Sequence, residues 1–184
     1  MAGASSGIGK ATCQVLSQYG ATVIGSGRNE AALSELKEKG HIFDYVVADL
    51  SIENTCQAVV QEAARLLEGL TALINCAGVL RGGGMGDPNV DLSNYEFNMS
   101  TNVQAPFELM VHAIPFLKEG SSSSIINVSS VNGQQSFPGC VAFCMSKAAL
   151  DQLTRCSSVD LAKYGIRVNA VNPGVIETNI HKVR

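Results

Sequence analysis

Ala2-Gly3-Ala4-Ser5-Ser6-Gly7-Ile8-Gly9 stands at the start of the chain, and Gly3, Gly7 and Gly9 have the spacing G-x-x-x-G-x-G. Glycines let a backbone approach a pyrophosphate closely. The helix after such a turn offers its first N–H groups and its positive dipole end to the phosphates. By themselves the three glycines fit a flexible terminus equally well; residues 8–25 decide between the two. Residues 8–19 predict a helix with Ile8, Ala11, Val15 and Leu16 on one side, stopped by Gly20. Ala21–Gly25 predicts a short strand. Turn, helix and strand in that order make most of a mononucleotide-binding unit. A buried strand normally precedes the turn, and only Met1 and Ala2 stand there. The sequence therefore predicts a gap in the sheet where that strand belongs.

Beyond this unit, strands alternate with helices, the pattern of a parallel sheet covered on both faces. A helix is predicted over 30–39, ending at Gly40, and a strand over 42–47. Ser51 is the expected N-cap of a helix through Glu68, closed by Gly69, and residues 72–75 form a buried strand. The glycine-rich stretch 81–91 reads as a loop. Ser93 and Glu96 form a capping box for a helix to Lys118, with a kink or early end expected from Pro106 and Pro115. A turn over 121–124, a strand over 125–128, a helix over 141–164 and a strand over 166–171 complete the chain. No linker divides it, so 1–184 reads as one domain.

The 184 residues carry a formal charge of −3, with no basic stripe for nucleic acid and no apolar run long enough for a membrane span. No secretory signal is seen, so a cytoplasmic protein is expected. The six cysteines lack zinc spacing and read as reduced thiols; no metal site is expected. His41, His112 and His181 are scattered and read as surface or packing residues. Asn98-Met-Ser100 and Asn127-Val-Ser129 match the glycosylation pattern by accident on this reading.

Several short motifs then fall into register: Ala2–Gly9, Asp49-Leu50, Asn75-Cys76-Ala77-Gly78, Asn102, Ile125–Ser130, Ser146-Lys147-Ala148-Ala149-Leu150 and Asn172-Pro173-Gly174. In order and spacing they resemble the short-chain dehydrogenase/reductase family, over essentially the whole chain. The resemblance implies a Rossmann-like, doubly wound α/β domain of strand order 3-2-1-4-5-6-7, lacking its first and its C-terminal strand. It implies hydride transfer between a nicotinamide cofactor and a ketone or secondary alcohol. Gly3, Ser5, Ser6, Gly7, Ile8 and Gly9 correspond to the phosphate turn. Asp49 and Leu50 correspond to the adenine contact, and Asn75, Ala77 and Gly78 to the adenine-ribose wall. Pro173, Gly174, Val175 and Thr178 correspond to the stretch beside the nicotinamide. Asn102, Ser130 and Lys147 match three members of the catalytic tetrad, Lys147 also binding the nicotinamide ribose.

The fourth member is a tyrosine four residues before the lysine, and here that position is Phe143. Phenylalanine keeps the ring and loses the proton donor, whose contribution is typically about 10²–10⁴-fold. Cys144, about 100° further round the helix, is a poor substitute. Relatives that prefer NAD(H) carry an acidic residue where this chain has Gly27, followed by Arg28 and Asn29. With no carboxylate to repel a 2′-phosphate and an arginine to bind it, NADP(H) is expected over NAD(H); a solvated loop arginine is the plainer alternative. The resemblance further implies a homo-oligomer through the helices near 94–118 and 141–164. With the chain ending at Arg184, before the relatives' substrate-covering segment, the sequence reads as a piece of a longer enzyme, poorly stable alone, or as a non-catalytic member that binds cofactor or pairs with an intact relative.

Overall fold

A computed structural model describes residues 1–87 and 91–182, the last two by their backbone alone. Part of the expected 81–91 loop and the His181 side chain thus lie outside the described residues. In chain order the elements are α1 (Gly7–Gln18), β1 (Ile24–Gly27), α2 (Glu30–Glu38), β2 (Asp44–Val47), α3 (Thr55–Leu67) and β3 (Ala72–Asn75). Next come α4 (Leu92–Met99), a π-helical turn (Ser100–Gln104), α5 (Ala105–Glu119), β4 (Ser124–Val128), α6 (Val141–Ala162) and β5 (Arg167–Val171), with short 3₁₀ turns at Val131–Gly133 and Asn179–Lys182. All strand pairs are parallel: β1 with β2, and β3-β4-β5. The fold is the doubly wound α/β class with a parallel sheet.

No strand element precedes the glycine turn, yet the expected gap is filled. Ala2 bridges Ser26 of β1 on one side and Asn75 of β3 on the other, both in parallel register. Ala2 N donates to the Ile74 carbonyl and Cys76 N to the Ala2 carbonyl, both at 2.9 Å. On the other side Ser26 N donates to the Met1 carbonyl at 2.9 Å, and Gly3 N to Ser26 O at 2.8 Å. Two residues thus satisfy the inward ladder groups of both neighbours and join the half-sheets in the order β2-β1-Ala2-β3-β4-β5. Ala2 is 3% exposed, as the centre of a sheet requires.

Other boundaries depart from the sequence expectations for local reasons. Gly20 (φ 81°) and the bond from Ala21 N to Leu16 O extend the cap of α1, so β1 starts at Ile24 rather than Ala21. Ser51 does not cap α3. Its N–H and hydroxyl both bond to Asp49 Oδ1, and the cap is Asn54 in the left-handed region (φ 63°). Asp91, not Ser93, caps α4 by accepting from Ser93 N. The single helix expected over 93–118 is three pieces. Pro106 has no N–H for the carbonyl of Asn102, and the chain crosses that point through the π-helical turn.

The apolar side of α1 also differs. Gly9 and Cys13 face inward, while Ala11 and Val15 are exposed. Gly9 packs on the Gly3 carbonyl, and that contact sets the helix rotation. Two apolar clusters result. One joins Ala4, Cys13, Val23, Leu33, Leu36 and Ile42 beneath α1 and α2. The larger joins α3, α5, β3 and β4 through residues such as Val60, Leu73, Leu109, Leu117 and Ile125. Between sheet and α6 runs a buried polar chain: Asn75 Nδ2 donates to Asn127 Oδ1 (2.8 Å), and Asn127 Nδ2 to Thr154 Oγ1 (2.9 Å).

Candidate functional site

At the carboxyl ends of the strands lies a cleft of about 380 Å³. Ligands of open α/β sheets bind at this place. Its floor is the glycine turn. A Cβ on Gly3 (φ 84°) would lie 2.5 Å from Ala77 N, and one on Gly9 would overlap the Gly3 carbonyl. Gly7 (φ 50°) faces Thr178, whose Cγ2 would be 3.1 Å from an added Cβ. Ser6, the N-cap of α1, makes no side-chain bond to the first turn, and that turn holds no acidic residue. The first N–H groups of a helix have no acceptor inside it. The turn thus offers close backbone approach, free donors and a positive dipole end, which fit a pyrophosphate.

At one end of the cleft stand Gly27, Arg28, Ala48, Asp49 and Leu50. Hydrogen bonds from Ser51, helped by Arg28, hold the Asp49 carboxyl below the usual carboxylate range, so it is a ready acceptor for an amino group. Arg28 Nη1 lies 3.8 Å from Asp49 Oδ2, and its side chain is 63% exposed. Such an exposed pair is weak, and the guanidinium is free to turn to a stronger anion. A Cβ at Gly27 would lie 2.7 Å from Ser5 Oγ, leaving no room for an acidic side chain without moving Ser5.

At the other end stand Ser130, Asn132, Phe143 and Lys147. Phe143 and Lys147 are four apart on α6, which stacks them on one face. Lys147 Nζ lies 5.8 Å from the Phe143 ring centroid and donates to Val128 O at 2.9 Å. Ser129 Oγ bonds to the Lys147 carbonyl. Ser130 is fixed from two sides: its Oγ accepts from Asn132 N (3.1 Å), and its carbonyl accepts from Asn172 Nδ2 (3.0 Å), which also meets both oxygens of Asp151.

The sequence-marked residues Gly3, Ser5, Ser6, Gly7, Ile8, Gly9, Arg28, Asp49, Leu50, Ala77, Gly78, Ser130, Phe143, Lys147, Pro173, Gly174, Val175 and Thr178 all line this one cleft. Three others do not. Asn29 caps α2 by accepting from Ala32 N, and Asn75 is buried in the chain to Asn127. Asn102 is fully buried: its Oδ1 accepts from Val79 N, and its Nδ2 donates to Val79 O and Ser146 Oγ. Its side chain holds the Gly78–Val79 wall and does not open to the cleft. The cleft is also lined by Arg81, with Phe97 beneath its guanidinium (4.1 Å), and by Asn132. Nothing in their spacing marks them; they arrive through the ends of β3, α4 and β4.

Burial lowers the Lys147 pKa to about 8, with Cys76 and Asp151 pulling the other way. The folded value lies below the ordinary lysine range near 10.4. Below about pH 8 the cost of burying the ammonium is fully present. Between about 8 and 10 the unfolded chain holds a proton that the folded chain releases, so this residue makes stability rise with pH. Buried Cys13, Cys56 and Cys76, whose thiols burial pushes up, act in the opposite sense. The difference between wild type and Lys147→Met isolates the lysine. In denaturant unfolding Lys147→Met should be more stable by about 1–3 kcal/mol at pH 7, and the gap should close by about pH 10. A gap independent of pH would mean that the ammonium is not desolvated.

Over residues 1–184 the chain matches the family described as short chain dehydrogenase. It is 34% identical over 182 residues to cyclopentanol dehydrogenase of Comamonas sp., covering 96% of this chain and 71% of that protein. It is 34% identical over 185 residues to a tropinone reductase homologue of Arabidopsis thaliana, covering 97% of this chain and 69% of that one. Among solved structures, a short-chain dehydrogenase/reductase of Caenorhabditis elegans with cofactor superposes with a TM-score of 0.90 at 32% identity, covering 98% of this chain and 70% of that one. Among the described residues no helix is long and apolar enough to cross a membrane.

Proposed function

The chain belongs to the short-chain dehydrogenase/reductase family, and from that premise we propose that it binds NADP(H) in preference to NAD(H) and transfers hydride slowly between the cofactor and a ketone or secondary alcohol. A bound nicotinamide dinucleotide supplies the hydride chemistry. The chain's own residues do the rest. The α1 N-terminus and the glycine turn hold the pyrophosphate, and Asp49 accepts from the adenine amino group. Lys147 holds the nicotinamide ribose with the N–H donors left beside its bond to Val128 O. Ser130 orients the substrate oxygen by its hydroxyl. Phe143 supplies a ring and no proton, so no side chain at this position protonates the substrate oxygen and turnover is slow.

One observation carries the reading: the turn, Asp49, Arg28, Ser130 and Lys147 line a single cleft. The relatives named as cyclopentanol dehydrogenase and tropinone reductase homologue support the substrate class. Phe143 favours a second reading, a non-catalytic member that binds cofactor or pairs with an intact relative.

Cofactor preference is tested by titrating NADPH and NADH against wild type and Arg28→Ala. Wild type should bind NADPH at least about tenfold more tightly. Arg28→Ala should lose about that factor for NADPH alone, the worth of one charge-assisted bond, about 1.4 kcal/mol. Equal affinities in wild type, or equal losses for both cofactors, would refute the preference.

A further inference from the structure

Cys140 and Cys144 stand outside the cleft, one helical turn apart, with their sulfurs 3.8 Å from each other. Both receive the same donor: Asn132 Nδ2 lies 3.5 Å from each Sγ. Asn132 in turn holds Ser130, accepting the Ser130 hydroxyl proton at Oδ1 (3.2 Å) and giving its own N–H to Ser130 Oγ (3.1 Å). The pair and the candidate active-site serine thus share one anchoring residue. We propose that Cys140 and Cys144 form a thiol–disulfide exchange site that takes a low-molecular-weight disulfide as co-substrate and is coupled to Ser130 through Asn132.

The geometry allows closure. A disulfide needs the sulfurs at about 2.05 Å and the Cα atoms within about 4.4–6.8 Å. Cys144 N bonds to the Cys140 carbonyl at 2.9 Å, an ordinary helical turn, which puts the Cα atoms in that range. The remaining movement falls on the Cys140 side. Cys140 is the N-cap of α6 (φ −142°, ψ 41°), so helical geometry does not fix its side chain. Residues 134–139 before it are exposed, and Gly139 (φ 73°) has open space around it. Both thiols are half-buried. Cys156 lies further along α6, about three turns beyond Cys144, and Cys13 and Cys56 are fully buried.

The chemistry balances in two steps. The Cys140 thiolate attacks one sulfur of R–S–S–R, forming a mixed disulfide and expelling RS⁻. The Cys144 thiolate then attacks the Cys140 sulfur, closing the intramolecular bond and expelling the second RS⁻. Two electrons pass from the protein dithiol to the disulfide, and the two thiol protons end on the two RSH products. Closure draws the sulfurs from Asn132, so that Asn132 and with it Ser130 lose part of their hold.

The test uses oxidised glutathione and the full chain, followed by maleimide trapping and tryptic mass mapping. Cys140 and Cys144 fall in one tryptic peptide, residues 119–147, with no other cysteine. That peptide should lose both maleimide sites and become lighter by two hydrogens. Cys144→Ser should instead keep one glutathione on Cys140, since no second thiol can resolve it. Hydrogen exchange of the Asn132 N–H should speed up in the oxidised chain. Two free thiols under conditions that modify exposed Cys156, or a lasting glutathione adduct on the wild type, would overturn the exchange site. Unchanged exchange at Asn132 would overturn the coupling. None of these readouts depends on turnover or on cofactor choice.

Discussion

Phe143→Tyr should raise the rate of NADPH oxidation with a panel of small ketones by about 10²–10⁴-fold, the usual worth of a positioned proton donor. Phe143 lines the cleft and is 5% exposed, so its ring already occupies the place a phenol would take. The substitution adds one oxygen at the ring edge and removes nothing. Lys147, one helical turn on along the same face with its Nζ 5.8 Å from the ring centroid, is the cation that would favour the ionised form of that oxygen. Ser130 is already held by Asn132 and Asn172, so no other group has to be built. NADPH affinity should be nearly unchanged, because the gain arises in the transition state. A Phe143→Tyr protein that binds NADPH and turns over no faster would show that the missing hydroxyl is not what limits this chain.

Gly9→Ala should destabilise the chain by about 1–3 kcal/mol and weaken NADPH binding by about a hundredfold. In an ordinary helix this substitution stabilises by about 0.5–1 kcal/mol. Here the added Cβ would overlap the Gly3 carbonyl oxygen and stand 2.8 Å from the Gly3 carbonyl carbon. Those atoms are backbone, so α1 must lift from the turn. Lifting also displaces the N–H groups of the first turn from the phosphate position. Thermal unfolding and an NADPH titration measure the two effects. A Gly9→Ala chain as stable as wild type, with unchanged affinity, would mean that α1 does not rest on Gly3.

The site was legible in the sequence where chemistry and spacing coincide. The glycine turn, Asp49, Ser130 and the pair Phe143/Lys147 are fixed by backbone approach, by charge or by the i, i+4 rule, all properties of short segments. What escaped depends on contacts between distant segments. Asn102 matches a tetrad position, but its side chain is consumed by Val79 and Ser146, residues 23 and 44 positions away. Asn75 has the right motif around it and spends its amide on Asn127. The rotation of α1 is set by one tight contact between Gly9 and Gly3, against the apolar pattern of Ala11 and Val15. Ala2 shows the same limit: two residues carry no strand periodicity, and only the open ladders of β1 and β3 turn them into the sheet's centre.

A nicotinamide dinucleotide held in this cleft is measurable without turnover. Calorimetric titration of the 184-residue chain with NADPH tests it most directly. Saturable binding at one site per chain is expected, weakened by Gly9→Ala and tighter than for NADH. A cooperatively folded chain that binds neither NADPH nor NADH would contradict it.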